Sequence, residues 1–122
     1  MNRLERVEQT ILAEGDPRVP GNCFQAAVAT LTGLPIEAVP HFLLFGPLWW
    51  DAFLLWLNGS GYTLVTPAED EATFLAVGPS CRGFHHAVVV DGDRVLDPHP
   101  DEAGLLAIER RYAILALMDR GQ

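Results

Sequence analysis

The chain has 122 residues, the size of one domain, and 49% of them are apolar, so its composition predicts one folded unit spanning residues 1–122. Sixteen acidic residues against eight basic ones give a formal charge of −8. This balance argues against a nucleic-acid binder and against docking on anionic lipid, because both need a basic face. Two cysteines are too few for a disulfide scaffold.

The N-terminus lacks the basic start and apolar run of a signal peptide. The longest apolar stretch, residues 41–57, is interrupted by Gly46, Pro47 and Asp51. It is also shorter than the ~20 apolar residues that a membrane-spanning helix needs. We therefore expect a cytoplasmic protein with reduced thiols and no membrane partner.

Glycine and proline clusters divide the chain into short elements, with helices first and strands after them. The predicted helices are residues 22–31, with Asn22 as N-cap, a short turn at 35–39, and a buried helix at 48–57. The predicted strands are 62–66, 73–77, 85–91, 94–97 and 112–118, the last favoured as strand over helix. This order predicts an α+β fold in which N-terminal helices pack on a small antiparallel sheet.

Cys23 lies in the first turn of the first predicted helix, directly after a Gly/Pro loop. A helix N-terminus carries partial positive charge and free N–H groups, which favour a nucleophilic thiolate. The alternative is an inert, buried cysteine on an alanine-rich helix.

The segment HHAVVVDGDRVLDPHP predicts a hairpin. If Asp91-Gly92 is the two-residue turn, His86 lies directly opposite Asp97, within hydrogen-bonding reach. If Gly92-Asp93 is the turn instead, His86 lies opposite His99. The first register gives an imidazole held by a carboxylate, which is the oriented base that a cysteine nucleophile requires. A purely structural His–Asp hydrogen bond remains the alternative.

The order of a Cys at a helix start, a strand His followed by valines, and an Asp-Pro after the next strand resembles the papain-like cysteine peptidases. The nearest branch is the bacteriocin-processing, double-glycine-leader peptidase-like group, which includes small bacterial proteins. The stretches that carry the resemblance are GNCFQAAVATLTGLPIEAVPHF, GPSCRGFHHAVVV and LDPHP, roughly a third of the chain. The resemblance implies a papain-like fold and a catalytic triad of Cys23, His86 and Asp97.

The resemblance also implies an oxyanion hole formed by the backbone N–H of Cys23 and an upstream glutamine side chain. Such families place that glutamine shortly before the cysteine, where this chain has Pro17. Gln9 is the upstream glutamine available here, and it reaches the site if residues 6–11 form a strand beside the helix. Asn22 and Gln25 are further candidates for the donor.

Two residues are candidates for the substrate cleft. Trp49 shares one helical face with Phe53 and Trp56, which favours core packing, with an indole lining the cleft as the alternative. His85 points to the opposite face of its strand from His86, as a structural residue or at the rim of the cleft.

No cofactor or metal is expected. A zinc site built from Cys23, His86, Asp97 and His99 is the less favoured reading, because the chain has no close-spaced ligand pair such as CxxC or HExxH.

The leading hypothesis is a thiol hydrolase that cleaves an amide, isopeptide or ester bond through a thioester on Cys23. The alternatives are an acyltransferase of the transglutaminase or arylamine acetyltransferase type, and a non-catalytic papain-like binding module. The expected partner is a peptide or protein substrate, and nothing in the sequence indicates a homo-oligomer.

Overall fold

The computed structural model describes residues 4–16, 18–68 and 71–117. It contains two α-helices, α1 (Cys23–Thr32) and α2 (Trp49–Gly59), and two 3-10 helices, Ile36–Ala38 and Phe42–Leu48. The strands are β1 (Tyr62–Val65), β2 (Thr73–Pro79), β3 (His85–Asp91), β4 (Arg94–Leu96) and β5 (Arg110–Ala116). They form one antiparallel sheet in the order β1-β5-β2-β3-β4.

The predicted α+β class, with helices packed on an antiparallel sheet, is confirmed. Each predicted helix and strand is present, with ends shifted by a few residues. The prediction that the helix at 48–57 is buried is wrong: α2 buries only Phe53 and Leu57, and Leu55 is 76% exposed because α2 packs on the core along one face. The last strand begins at Arg110, before the predicted start at Tyr112, and its predicted end at Met118 lies outside the described residues.

Helix α1 is the central element of the core, and most of its side chains are buried. Phe24 on α1 meets the Phe53 ring of α2 edge-on, with 4.8 Å between ring centroids, and Phe42 joins the same cluster. On its other side, α1 packs against β3. Cys23 at the start of α1 is partly buried and His85 at the start of β3 is exposed, so both elements begin at the edge of this core.

Asn22 occupies the N-cap position of α1, but its side chain makes no capping hydrogen bond. Its Oδ1 instead accepts hydrogen bonds from the backbone N–H groups of Thr10 and Ile11. Asn22 is therefore the N-cap residue, as predicted, but it caps the helix by position and not through its side chain. The side chain is used to hold the N-terminal segment against the start of α1.

By length and composition, one described stretch, Ile36–Gly59, could cross a membrane, a test that core helices also pass. In the folded chain this stretch is three short helices, and Gly46 within it has a non-helical φ of 75°.

The hairpin register differs from the favoured prediction. Asp91 pairs with Arg94 and Val90 with Val95, so the two-residue turn is Gly92-Asp93. Gly92 has a φ of 64°, which suits the first central position of a type II′ turn. The favoured Asp91-Gly92 turn is therefore wrong and the alternative turn is correct, but the ladder ends at Leu96, before it reaches Asp97.

Gly78 in β2 lies so close to the neighbouring backbone that a Cβ there would sit 1.9 Å from the Ala107 carbonyl oxygen. We expect Gly78→Ala to lower the free energy of unfolding by about 2–3 kcal/mol, because a backbone segment must move to admit the methyl group. Urea unfolding measures the effect. Gly59→Ala is the control, since a Cβ at that helical position meets nothing within 4 Å, and should be neutral or stabilising. Equal stabilities for the two variants would contradict the packing argument.

Candidate active site

Cys23 is the first residue of α1 and is partly buried, and it lines two adjoining cavities. The first N–H groups of a helix have no acceptor within the helix and carry its partial positive charge. The sulfur therefore lies at the positive end of a 10-residue helix and faces open space.

The structure brings His86 and Asp97 together in a buried pair. His86 Nε2 lies 2.6 Å from Asp97 Oδ1, and the two side chains are 4% and 1% exposed. The pairing does not come from the strand ladder. Because β4 ends at Leu96, Asp97 begins the following turn, where its carboxylate accepts hydrogen bonds from the backbone N–H groups of His99 and Gly104.

The three predicted triad residues are coupled electrostatically. Burial alone would lower the pKa of His86, but hydrogen bonds with Asp97 and Cys23, and the charges of both, raise it to about 9. Burial raises the pKa of Asp97, but the hydrogen bonds from His86, His99 and Gly104 outweigh it and hold the pKa below its usual value. Since Asp97 binds Nε2 of His86, Nδ1 is the nitrogen of that ring that remains available to the Cys23 sulfur.

Gln9 reaches the site, but not on a strand as expected. Residues 4–9 run as an irregular segment, in which the backbone N–H of Gln9 donates to the Pro98 carbonyl at 2.9 Å. The Gln9 side chain is 5% exposed and lines the same cavity as Cys23 and His86. Its Nε2 donates one hydrogen to the Ile11 carbonyl, which leaves the second N–H of the amide for another acceptor.

The other two candidates for the oxyanion donor are used elsewhere. Asn22 Nδ2 donates to the Thr10 hydroxyl and to Gln25 Oε1. Gln25 Nε2 donates to the carbonyls of Ile36 and Val39. Both hydrogens of each amide are thus engaged in fixing the backbone around α1. This geometry contradicts Asn22 and Gln25 as oxyanion donors.

The cleft has two halves that meet at Cys23 and His86. The polar half has a volume of about 600 Å³, and the apolar half about 290 Å³. The polar half is lined by Gln9, Glu14, Arg82 and His99, together with apolar residues that include Leu43 and Phe84. The apolar half is lined chiefly by Phe24, Trp49, Trp50, Val77 and Tyr112.

Both candidate cleft residues border this space. Trp49 lines the apolar half and also packs edge-on against Phe24, so it joins the core and the cleft at once. His85 lines both halves, with its ring largely exposed and Nε2 3.0 Å from Glu109 Oε1. Trp50 and Tyr112, whose rings meet at 5.2 Å, were not predicted for the cleft.

His99 and Glu14 are additional polar residues in the cleft. His99 Nε2 lies 2.8 Å from Glu14 Oε2, and the His99 ring lies 6.2 Å from the His86 ring. The sequence does not single out Glu14, which lies in the loop before α1 and is 85 residues away from His99 along the chain. No group of three or more potential metal ligands occurs within the part of the chain that the structure describes.

Comparisons with protein-family models, with curated proteins and with solved structures find no match for this chain.

Proposed function

We propose that this protein is a papain-like thiol hydrolase that cleaves an amide, isopeptide or ester bond in a peptide or protein. The observation that carries the proposal is the buried His86–Asp97 pair coupled to Cys23 at the start of α1. A structural His–Asp bond would need neither a cysteine partner nor a cleft. Here the imidazole has both.

The first half of the reaction forms a thioester. The Cys23 sulfur attacks the carbonyl carbon of the substrate, and the carbonyl electron pair moves to the oxygen. The tetrahedral intermediate then collapses, the bond to the leaving nitrogen or oxygen breaks, and the leaving group takes a proton from the His86 imidazolium. Asp97 keeps the ring oriented and stabilises its charged form throughout.

The second half regenerates the enzyme. His86, now neutral, takes a proton from a water molecule as the water attacks the thioester carbon. The carbon–sulfur bond breaks, the acid leaves, and Cys23 returns to its thiolate beside the imidazolium. If an amine takes the place of water, the same steps give acyl transfer and a new amide.

The negative charge on the substrate oxygen needs donors in place before it develops. The backbone N–H of Cys23 and the remaining N–H of Gln9 Nε2 are the two groups that we assign to this role.

We expect Gln9→Ala to lower kcat/KM by about 10²–10³, because one oxyanion donor typically supplies this much. The measurement is steady-state hydrolysis of whichever acyl substrate the protein turns over fastest. Gln25→Ala is the matched control: it removes an amide that binds Ile36 and Val39, so it should lower stability and leave kcat/KM nearly unchanged. A larger loss for Gln25→Ala than for Gln9→Ala would remove Gln9 from the mechanism.

The proposal is tested by asking whether Cys23 forms a covalent acyl intermediate. Intact-mass and peptide mass spectrometry after mixing with a panel of activated acyl esters and amides should show one acyl group on Cys23 and none on Cys81. Iodoacetamide should label Cys23 faster than the exposed Cys81. Free acid as the product supports hydrolysis, and an adduct with added amine supports acyl transfer. Equal labelling of the two cysteines with no acyl adduct would contradict the proposal and favour a non-catalytic binding module.

A further inference from the structure

The polar half of the cleft contains a carboxylate held in a fixed position. His99 Nδ1 lies 3.1 Å from the backbone nitrogen of Asp101 and 3.1 Å from its Oδ1, so Asp101 fixes one side of the ring. On the other side, His99 Nε2 lies 2.8 Å from Glu14 Oε2. The ring therefore holds the Glu14 carboxylate in position.

The cations near Glu14 are occupied by other carboxylates. Arg82, which lines the same cavity, binds both oxygens of Asp101 at 2.8 and 3.0 Å, and His86 is paired with Asp97. The hydrogen bond from His99 lowers the pKa of Glu14, so the carboxylate is ionised at neutral pH. Glu14 therefore places an ionised carboxylate in the lining of the same cavity as the Cys23 sulfur.

A second acceptor lies in the wall of this cavity. Gln9 is 5% exposed, and its Oε1 is a buried side-chain oxygen for which the described residues provide no hydrogen-bond donor. The positions of the oxygen and nitrogen in this amide are fixed, because only the nitrogen can donate to the Ile11 carbonyl. A buried acceptor without a donor is costly unless a ligand or a water molecule supplies one. Gln9 Oε1 is buried away from the open cavity, so Glu14 is the group that selects the ligand, which should be positively charged.

We propose that the polar half of the cleft binds a primary ammonium group of the substrate, from a lysine side chain or a free amino terminus, with Glu14 as its counter-ion. Describing the ligand as a substrate rests on the proposed function, but binding an ammonium group does not require catalysis. The ammonium site and the hydrolase activity can therefore be disproved separately.

The test compares the rates at which charged reagents modify Cys23. In a Cys81→Ser background, the thiolate displaces methanesulfinate from aminoethyl, sulfonatoethyl or methyl methanethiosulfonate and forms a mixed disulfide. After normalisation to the neutral methyl reagent, we expect the cationic reagent to react faster than the anionic one. Glu14→Gln keeps an acceptor for His99 but removes the charge, and should lower the cation-to-anion ratio about fivefold at low salt.

Asp93→Asn is the matched control, because it makes the same change in net charge at the exposed hairpin turn, at the opposite end of β3 from His86. This variant should leave the ratio unchanged. Equal effects of the two substitutions, or no preference for the cation in the parent protein, would overturn the assignment of Glu14.

Protection experiments distinguish the two sources of the ammonium group. Nα-acetyl-lysine amide should slow modification of Cys23 if a lysine side chain is bound, and alanine amide should do so if a free amino terminus is bound. Nα-acetyl-norleucine amide, which lacks the amine, should protect in neither case. Equal protection by the norleucine and lysine compounds would show binding of the apolar stem and contradict the proposal. If Cys23 reacts faster with the cationic reagent but never forms an acyl intermediate, the ammonium site is supported and the hydrolase activity is contradicted.

Discussion

Replacing Cys23 with alanine is expected to lower kcat/KM by at least about 10⁴. The thioester cannot form without the sulfur, and neither His86 nor Asp97 supplies another nucleophile. Cys23→Ser should lose nearly as much, because a serine hydroxyl does not ionise beside the imidazole as a thiol does and is a weak nucleophile while it keeps its proton. The measurement is hydrolysis of the best substrate from the acyl panel, with thermal unfolding recorded in parallel.

Cys81→Ser is the control for this experiment, since Cys81 is an exposed cysteine on the loop between β2 and β3. It should retain full activity. Activity of Cys23→Ala above a tenth of the parent value, with unfolding unchanged, would show that the reaction does not pass through this sulfur. A non-catalytic module predicts instead that neither substitution alters a measurable turnover.

Much of the fold follows from local pattern. Alanine-rich residues 23–32 form a helix that Gly33 ends in the left-handed conformation, with its N–H bonded to the Ala29 carbonyl. Phe53 is buried in the core, Trp49 and Trp56 pack against it while partly buried, and the strands lie at the predicted positions. These features depend on neighbours in sequence, which is why they are predictable.

The His86–Asp97 pair was predicted correctly from an incorrect register. The ladder alone would place His99 opposite His86, as the pairing of Asp91 with Arg94 requires. Asp97 reaches the imidazole because the strand ends before it and the Asp-Pro-His turn directs the carboxylate inward, where two backbone N–H groups fix it. A pairing rule for strands cannot anticipate a contact made by the residue that leaves the strand.

The residues around the triad depend on long-range contacts and were harder to assign. Gln9 enters the site because Arg6 donates to the Asp97 and His99 carbonyls while Asn22 binds the next two backbone N–H groups. Nothing in the spacing from Gln9 to Cys23 shows that this segment lies between α1 and the turn at residues 97–99. The same contacts explain why Asn22, adjacent to Cys23 in sequence, does not act on the substrate.

Asp97→Asn is expected to lower the free energy of unfolding by about 2–4 kcal/mol and kcat/KM by about 10²–10⁴. The carboxylate accepts hydrogen bonds from His86 and from the backbone N–H groups of His99 and Gly104. The asparagine side chain of the variant must turn its own N–H group toward one of these donors. The substitution also removes the negative charge that stabilises the His86 imidazolium. Asp101→Asn is the control in the same turn. Because Asp101 is exposed, its pairing with Arg82 should contribute little to stability.

The pH dependence of this variant tests the electrostatic argument directly. The folded pKa of His86, about 9, lies above the ordinary value of 6.5, so the folded protein retains a proton that the unfolded chain releases between these values. The resulting stabilisation, about 3 kcal/mol, is fully present below pH 6.5 and is lost as the pH rises through 9. The stability difference between the parent protein and Asp97→Asn should therefore shrink by about 2–3 kcal/mol between pH 6 and pH 9.5. Titration of the His86 ring by NMR should show its pKa falling in Asp97→Asn, and a stability difference that stays constant with pH would mean that His86 is neutral in the folded state.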